Sequence, residues 1–506
     1  MKIRIVIFAL GLLAVVALAA GCAGGDAPAT IPPPPTPLEN QPPAEATVIN
    51  QPTAVAPELE TAVAGSSPTP VETPTLAPTA TAKAETADSQ SQPVAAGSLP
   101  PTGYDLLFVA EGALKRWQAA SGQVLTLIPG GDEAASDEKR DAGLPIVGDV
   151  AGYSLSRDGR RAAVARLTAS TPISDTINAV TVTVQTYALS YLDLETGSQR
   201  ELVPAVNIVG RLSFALSQDG RHLAFGGWSL GQPTGSLASG AQNGSLYVVE
   251  TETGAAPQTI SSCAPQCHDF VWHPDNNFFV YGDGGGLFLY NLSASQPELL
   301  AGDPAITRYY GPISWAKNGR WLLMWLGLGV EGADRAIFDV PTKQTMTIPN
   351  TFQYADPLYA ELTWMQDDRL FLVRAESPEG PAIGETWRVN VDAGEVQRDE
   401  SVVLSTEVAH PTAPVHWANG RFGYGLINRD GGAGTGLFRR VAFTEPAERL
   451  NAMPAALYAP ETAWLPDGSG AAVAQQGRLY YAPADGTLYD MQPVVGPWAH
   501  DLTWLP

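Results

Sequence analysis

The sequence predicts an all-β fold, a closed ring of about eight four-stranded antiparallel sheets, and three observations predict it. First, a unit recurs. An apolar strand ends in a large residue, Asp or Asn follows three positions later, and Gly usually comes next. The strand ends are Leu155 (LSRDG), Leu216 (LSQDG), Trp272 (WHPDN), Trp315 (WAKNG), Trp364 (WMQDD), Trp417 (WANG, one residue short), Trp464 (WLPDG) and Trp504. Six of the 12 tryptophans occupy this one position. Spacings of roughly 40 to 60 residues are the length of one four-stranded sheet with its loops. Second, 50 Gly and 43 Pro with only 16% charged residues favour turns and short strands over long helices. Third, the ends of the body are complementary. Tyr104–Ile128 supplies three strands without an anchored first strand, and DLTWLP, Asp501 to Pro506, is a first strand with no sheet after it. Joining them closes the ring and removes an open sheet edge.

Taken in order, the chain begins with an address. Lys2 and Arg4 precede an apolar run from Ile5 to Ala20, followed by Gly21-Cys22. A positive start, a hydrophobic stretch and small residues before a cysteine are the parts of an export signal. At about 17 residues the run is at the lower limit for a bilayer span, where roughly 20 is typical. LAAGC, Leu18 to Cys22, resembles the lipobox of bacterial lipoproteins, with Ala19 where a large aliphatic residue is usual. The resemblance implies that residues 1–22 form a signal peptide ending at Cys22, that Cys22 is the lipidation site, and that the protein is exported. It would then be held on the outer face of the cell membrane, or on a periplasmic face of the envelope. Two or more acyl chains hold a protein stably where one does not.

Residues 23–100 read as a disordered linker. From Asp26 to Pro100 there are 16 prolines and no aromatic residue, so nothing offsets the entropy of ordering. Such a tether reaches roughly 50 Å as a flexible coil and about 230 Å if fully extended as polyproline.

Residues 101–506 form the ring. The large residue, Asp-Gly turn and following apolar strand, with later turns such as Asp193-Leu-Glu-Thr-Gly197, are similar to TolB-like β-propeller repeats. Trp-Asp repeat proteins and the propellers of oligopeptidase-like enzymes share the architecture. The resemblance implies a β-propeller of eight blades, with seven as the alternative if one Trp-less anchor is an insertion. It implies little about function, because propellers host unrelated activities. A closed ring needs no partner chain, so a monomer is expected.

Charge narrows the partners. The net charge is −23, and residues 1–100, with three basic and eight acidic side chains, carry little of it. So acidic a body repels phosphate backbones, which argues against nucleic acid. The loops joining strand 2 to strand 3, and one blade to the next, share one face. Those loops are the long ones here: Ser170–Asn178, Gly227–Gly244, Ala375–Glu385, Asn428–Gly436, Pro129–Val150 and Leu300–Tyr310. Binding residues collect on such loops.

Three constellations follow. Gly227-Trp-Ser-Leu-Gly231 matches the nucleophile-elbow pattern but lacks its strand–turn–helix context and a hydrolase domain, so it is read as a chance match. Cys263 and Cys267, in an exported chain, are expected to form a disulfide; two free thiols and a metal site are the alternatives. The position three before each anchor holds Gly152, Ser213, Asp269, Pro312, Glu361, Pro414, Glu461 and Asp501. Four carboxylates, Asp269, Glu361, Glu461 and Asp501, are thereby expected at the tunnel mouth, with His268, Tyr309, Tyr310, Tyr359, Tyr458, Trp498 and His500 nearby. Oxygen donors of this kind suit calcium better than zinc, or a cationic ligand; no other cofactor is implied. The opposing expectation is that these are solvated loop residues, some bonding amides of the next blade. The function read from all this is a lipid-anchored surface binding or scaffolding propeller for a protein or glycan. A carboxylate-based, glycan-active enzyme at the mouth and a TolB-like envelope-assembly partner remain alternatives. No catalytic residue is assigned.

Overall fold

The computed structural model describes residues 92–93, 102–132, 136–141, 146–175, 180–209, 212–228, 244–263, 266–302, 309–327, 332–351, 360–377, 380–427, 435–451 and 460–506. The leader and almost all of the expected tether therefore lie outside the described residues. Each blade is a meander in which every strand pairs antiparallel with the next, and there are eight of them, not seven. Blade 1 is assembled from both ends of the body: His500–Leu505 pairs with Asp105–Ala110, followed by Ala113–Gln118 and Gln123–Ile128. The innermost strands of blades 2 to 8 are Val150–Leu155, Phe214–Leu216, His268–Trp272, Tyr309–Trp315, Ala360–Trp364, His410–His416 and Glu461–Trp464. Blade 8 gains a short fifth strand, because Gln92–Pro93, within the span expected to be tether, pairs in parallel with Tyr489–Asp490.

Packing explains why these strands are apolar throughout rather than alternating. Both faces of each sheet meet a neighbouring blade, so successive residues enter different cores. In blade 1, Leu106, Phe108 and Ala110 pack against blade 8, while Leu107 and Val109 pack against blade 2. One hydrophobic cluster fills each of the eight seams.

The repeated tryptophan has a specific task. Its indole N–H donates to a carbonyl on the innermost strand of the preceding blade: Trp272 to Ala215, Trp315 to Val271, Trp364 to Ser314, Trp464 to Ala413 and Trp504 to Ala463, at 2.8 to 3.3 Å. A large ring that fills the seam and satisfies a carbonyl there is what a buried Trp needs.

Blade 7 corrects the register read from the sequence. In the other turns the residue after the anchor accepts a hydrogen bond from the residue four past the anchor: Gly319 N–H to Ala316, Asp368 to Met365, Gly468 to Leu465. In blade 7 the bond is Gly420 N–H to Trp417. Trp417 is therefore one past the anchor, and His416 occupies the anchor position. Its indole N–H points to the other neighbour, donating to Leu465 of blade 8 at 3.0 Å. The turn residue itself has positive φ throughout, from Asn276 at 60° to Gly420 at 80°, which is why Gly or Asn/Asp recurs there.

Other differences are smaller. Ser170–Asp175, within an expected loop, is strand: Arg161–Asp175 and Val180–Asp193 form a long hairpin, continued by Gln199–Val209. Its run of Thr, Val and Ile suits a pleated surface. Ala375–Glu385 likewise is mostly strand, resuming at Pro381. Two short helices, Ser136–Asp141 and Gln492–Val495, occur where no helix was expected.

Candidate functional site: the bulged tunnel mouth

The end of the innermost strands opposite the Asp-Gly turns is irregular. Register shifts interrupt the pairing of the first strands in blades 1, 2, 4, 5 and 7. A bulge inserts an extra residue, leaves its N–H without a ladder partner and re-aims the side chain. In three blades a non-glycine residue there takes the left-handed backbone: Asp269 (φ 53°), Ala413 (φ 49°) and Asp501 (φ 53°). With His416 as anchor, all three stand three residues before it; Ala413, not Pro414, is the blade 7 member. Backbone of this kind costs of order 1 kcal/mol or more unless its surroundings hold it.

The preceding blade holds it. Asp269 N–H donates to Ser213 Oγ at 2.8 Å. Ala413 N–H donates to Glu361 Oε2 at 2.5 Å, and Thr412 Oγ1 donates to Glu361 Oε1 at 2.9 Å. Asp501 and Leu502 N–H donate to the two oxygens of Glu461 at 2.8 and 2.5 Å. Blades 3, 6 and 8, which supply these acceptors, show no bulge at that position. Two of the four predicted carboxylates thus cap the bulge of the next blade. Burial pushes the Glu361 carboxyl above the ordinary range, opposed by those donors and by Arg335. A carboxyl with a raised folded-state pKa favours the fold at low pH, and that contribution is lost as pH rises through it.

The other two stand on the bulges and face solvent. Asp269 and Asp501 side chains are 40% and 42% exposed, each beside the histidine that precedes it, with Nδ1–Oδ2 distances of 3.0 and 3.2 Å. Tyr309 donates its hydroxyl to Asp269, and its ring stacks on His268 with centroids 4.8 Å apart. Strand alternation decides which tyrosine reaches the mouth: Tyr309 is 42% exposed, whereas Tyr310 is 7% exposed and packs in the seam between blades 4 and 5. Trp498 lies under the Arg140 guanidinium, 5.8 Å from ring centroid to Cζ. His268 and Tyr309 were expected near the mouth, but the bulges and the contacts of both rings with Asp269 were missed by sequence reading. The twin His-Asp pairs, each preceding an apolar strand that ends in Trp, were the available signal.

Arg335 is a further residue that the sequence did not mark. It is buried against Trp325 with Nη1 lacking a hydrogen-bond partner, and burial lowers its pKa to about 9, partly offset by Glu361. It therefore stays charged at neutral pH.

The four carboxylates are not gathered into one cluster. Among the described residues no three His, Cys, Asp or Glu side chains come together as metal ligands. Glu361 and Glu461 are turned onto backbone amides, and Asp269 is three blades from Asp501. Cys263 and Cys267 are joined in a disulfide, with Cα atoms 5.3 Å apart. Tyr359, Tyr458, Ser229 and Cys22 lie outside the described residues.

The fold and this mouth define a β-propeller with a polar, partly aromatic tunnel entrance. No protein family matches the chain, and no curated protein sequence matches it. Solved structures do. A prolyl endopeptidase aligns over 66% of this chain at 14% identity and a TM-score of 0.41; the chain spans about half, 50%, of that enzyme. TolB from Acinetobacter baumannii aligns over 74% of this chain and 86% of its own, at 15% identity and a TM-score of 0.31. A periplasmic gluconolactonase from Pseudomonas aeruginosa aligns over 80% and 99%, at 16% identity and 0.39. The eight-bladed architecture rests on this chain's own strand pairing.

Proposed function

We propose that this chain is an exported, lipid-anchored binding propeller whose tunnel mouth receives a cationic segment of a protein partner. One observation carries the reading: Asp269 and Asp501 occupy equivalent bulges that aim exposed carboxylates at the mouth, beside the His268–Tyr309 stack. Carboxylates next to an exposed ring suit a lysine or arginine, which pairs with the acid and lies over the ring. The acidic body would speed encounter with such a partner, more so at low salt.

Calorimetry with a deca-lysine peptide tests this. Saturable heat that weakens with added salt is expected, falling at least about tenfold in affinity in Asp269→Asn/Asp501→Asn, since a charged partner is worth about 1.5–3 kcal/mol. No heat, or equal affinity in both proteins, contradicts it. The anchor has its own test. Cys22→Ser is expected to abolish incorporation of radiolabelled fatty acid and to leave the protein as precursor or released. Labelling equal to wild type would refute lipidation at Cys22.

A further inference from the structure

A second site opens at the other end of the ring, independent of the reading above. Where blades 6 and 7 meet on the turn face there is a cavity of about 550 Å³. Its origin is the register of blade 7. The indoles of Trp272, Trp315, Trp364, Trp464 and Trp504 each reach the preceding blade, but here the anchor is His416, and Trp417 is turned to blade 8. An imidazole fills less than an indole. The volume falls within the range of about 300–1,000 Å³ typical of small-molecule sites.

The wall contains an unanswered polar group. Thr386 is 1% exposed, and its Oγ1 has no hydrogen-bond partner. A buried hydroxyl left unpaired costs about 1–3 kcal/mol, so such a group calls for a ligand atom. Around it stand one arginine and two carboxylates, Asp367 and Glu400. Arg369 on the cavity wall is held by Asp367 at 2.8 Å and faces Asp399 at 3.6 Å. His416 Nδ1 accepts from the Gln366 N–H at 3.2 Å, and burial lowers its pKa, which keeps the ring neutral at neutral pH. Phe422 and Phe443 also line the cavity, their rings edge-to-face 5.5 Å apart.

We propose that this seam binds a neutral polyhydroxylated ligand, a short saccharide. Sugar hydroxyls both donate and accept, which matches a threonine hydroxyl, a neutral imidazole and an ion pair with unused lone pairs and N–H groups. The C–H face of a sugar ring is apolar and suits the phenylalanines. Asp367 and Glu400 on the wall disfavour an anion and Arg369 disfavours a cation, whereas either carboxylate can accept from a sugar hydroxyl.

Isothermal titration with maltotriose, cellotriose and N,N′-diacetylchitobiose, at up to millimolar concentrations, tests the proposal. At least one is expected to bind wild type. Thr386→Val should weaken that binding about tenfold or more, because a site built for a hydroxyl loses its partner. The same variant should keep or raise the thermal midpoint, since it removes an unpaired buried hydroxyl. His416→Trp should fill the cavity and abolish binding. No binding of any of the three sugars, or binding unchanged in both variants, overturns it.

Discussion

Deleting Asp501–Pro506 is expected to abolish cooperative folding at 37 °C. The segment is the innermost strand of blade 1, and its pairs Leu106↔Trp504 and Leu107↔Thr503 hold the start of the ring to its end. Without it, Asp105–Ala110 becomes an open edge. Four further hydrogen bonds go with it: both amide caps on Glu461, the Tyr153 hydroxyl bond to the Asp501 carbonyl, and the Trp504 indole bond to Ala463. Trp504 alone packs edge-to-face on Trp117 and Tyr481, with centroids 6.0 and 6.1 Å away. Its truncation to Ala is expected to cost about 3–5 kcal/mol by chemical denaturation. A deletion variant with the wild-type melting temperature would show that the ring does not close through this strand.

The second large effect is electrostatic. Glu385 is 0% exposed, and its carboxylate accepts from Arg374 at 3.2 and 3.3 Å, from Arg398 at 3.0 Å and from the Trp387 indole at 3.2 Å. Arg374 is itself buried. Glu385→Ala leaves that guanidinium without a counter-charge and is expected to cost about 3–5 kcal/mol. The double variant Arg374→Met/Glu385→Leu removes both charges in similar volume. It is expected to return to within about 1 kcal/mol of wild type or to exceed it. Equal losses in the single and double variants would mean that packing, not charge, sets the effect.

The blade count, the closure and the turn positions were legible because they follow from strong local rules. A seam-filling aromatic recurs at a fixed distance from a residue with positive φ, and both residue types are visible in sequence. Blade 7 misled because a tryptophan happens to follow the anchor. The spacing held the correction, since Gly420 falls three residues after Trp417 but four after His416, as Gly319 falls four after Trp315. The candidate site was legible only as a position. Sequence placed Asp269, Glu361, Glu461 and Asp501 at one level of the ring, but bulges decide where each points. A bulge depends on pairing across two strands, and whether a carboxylate reaches solvent or a neighbour's amide depends on the next blade. Tyr309 and Tyr310 show the same limit at the scale of one residue: a one-step change of register exchanges the exposed ring for the buried one.

A cationic segment held at the bulged mouth must protect the backbone there. Hydrogen–deuterium exchange of the full chain, with and without the deca-lysine peptide, tests it most directly. Added protection is expected in peptides covering residues 268–270, 309–311 and 500–502, and little on the turn face. Protection confined to residues 365–369 and 416–420, or no change at the mouth at peptide saturation, would contradict it.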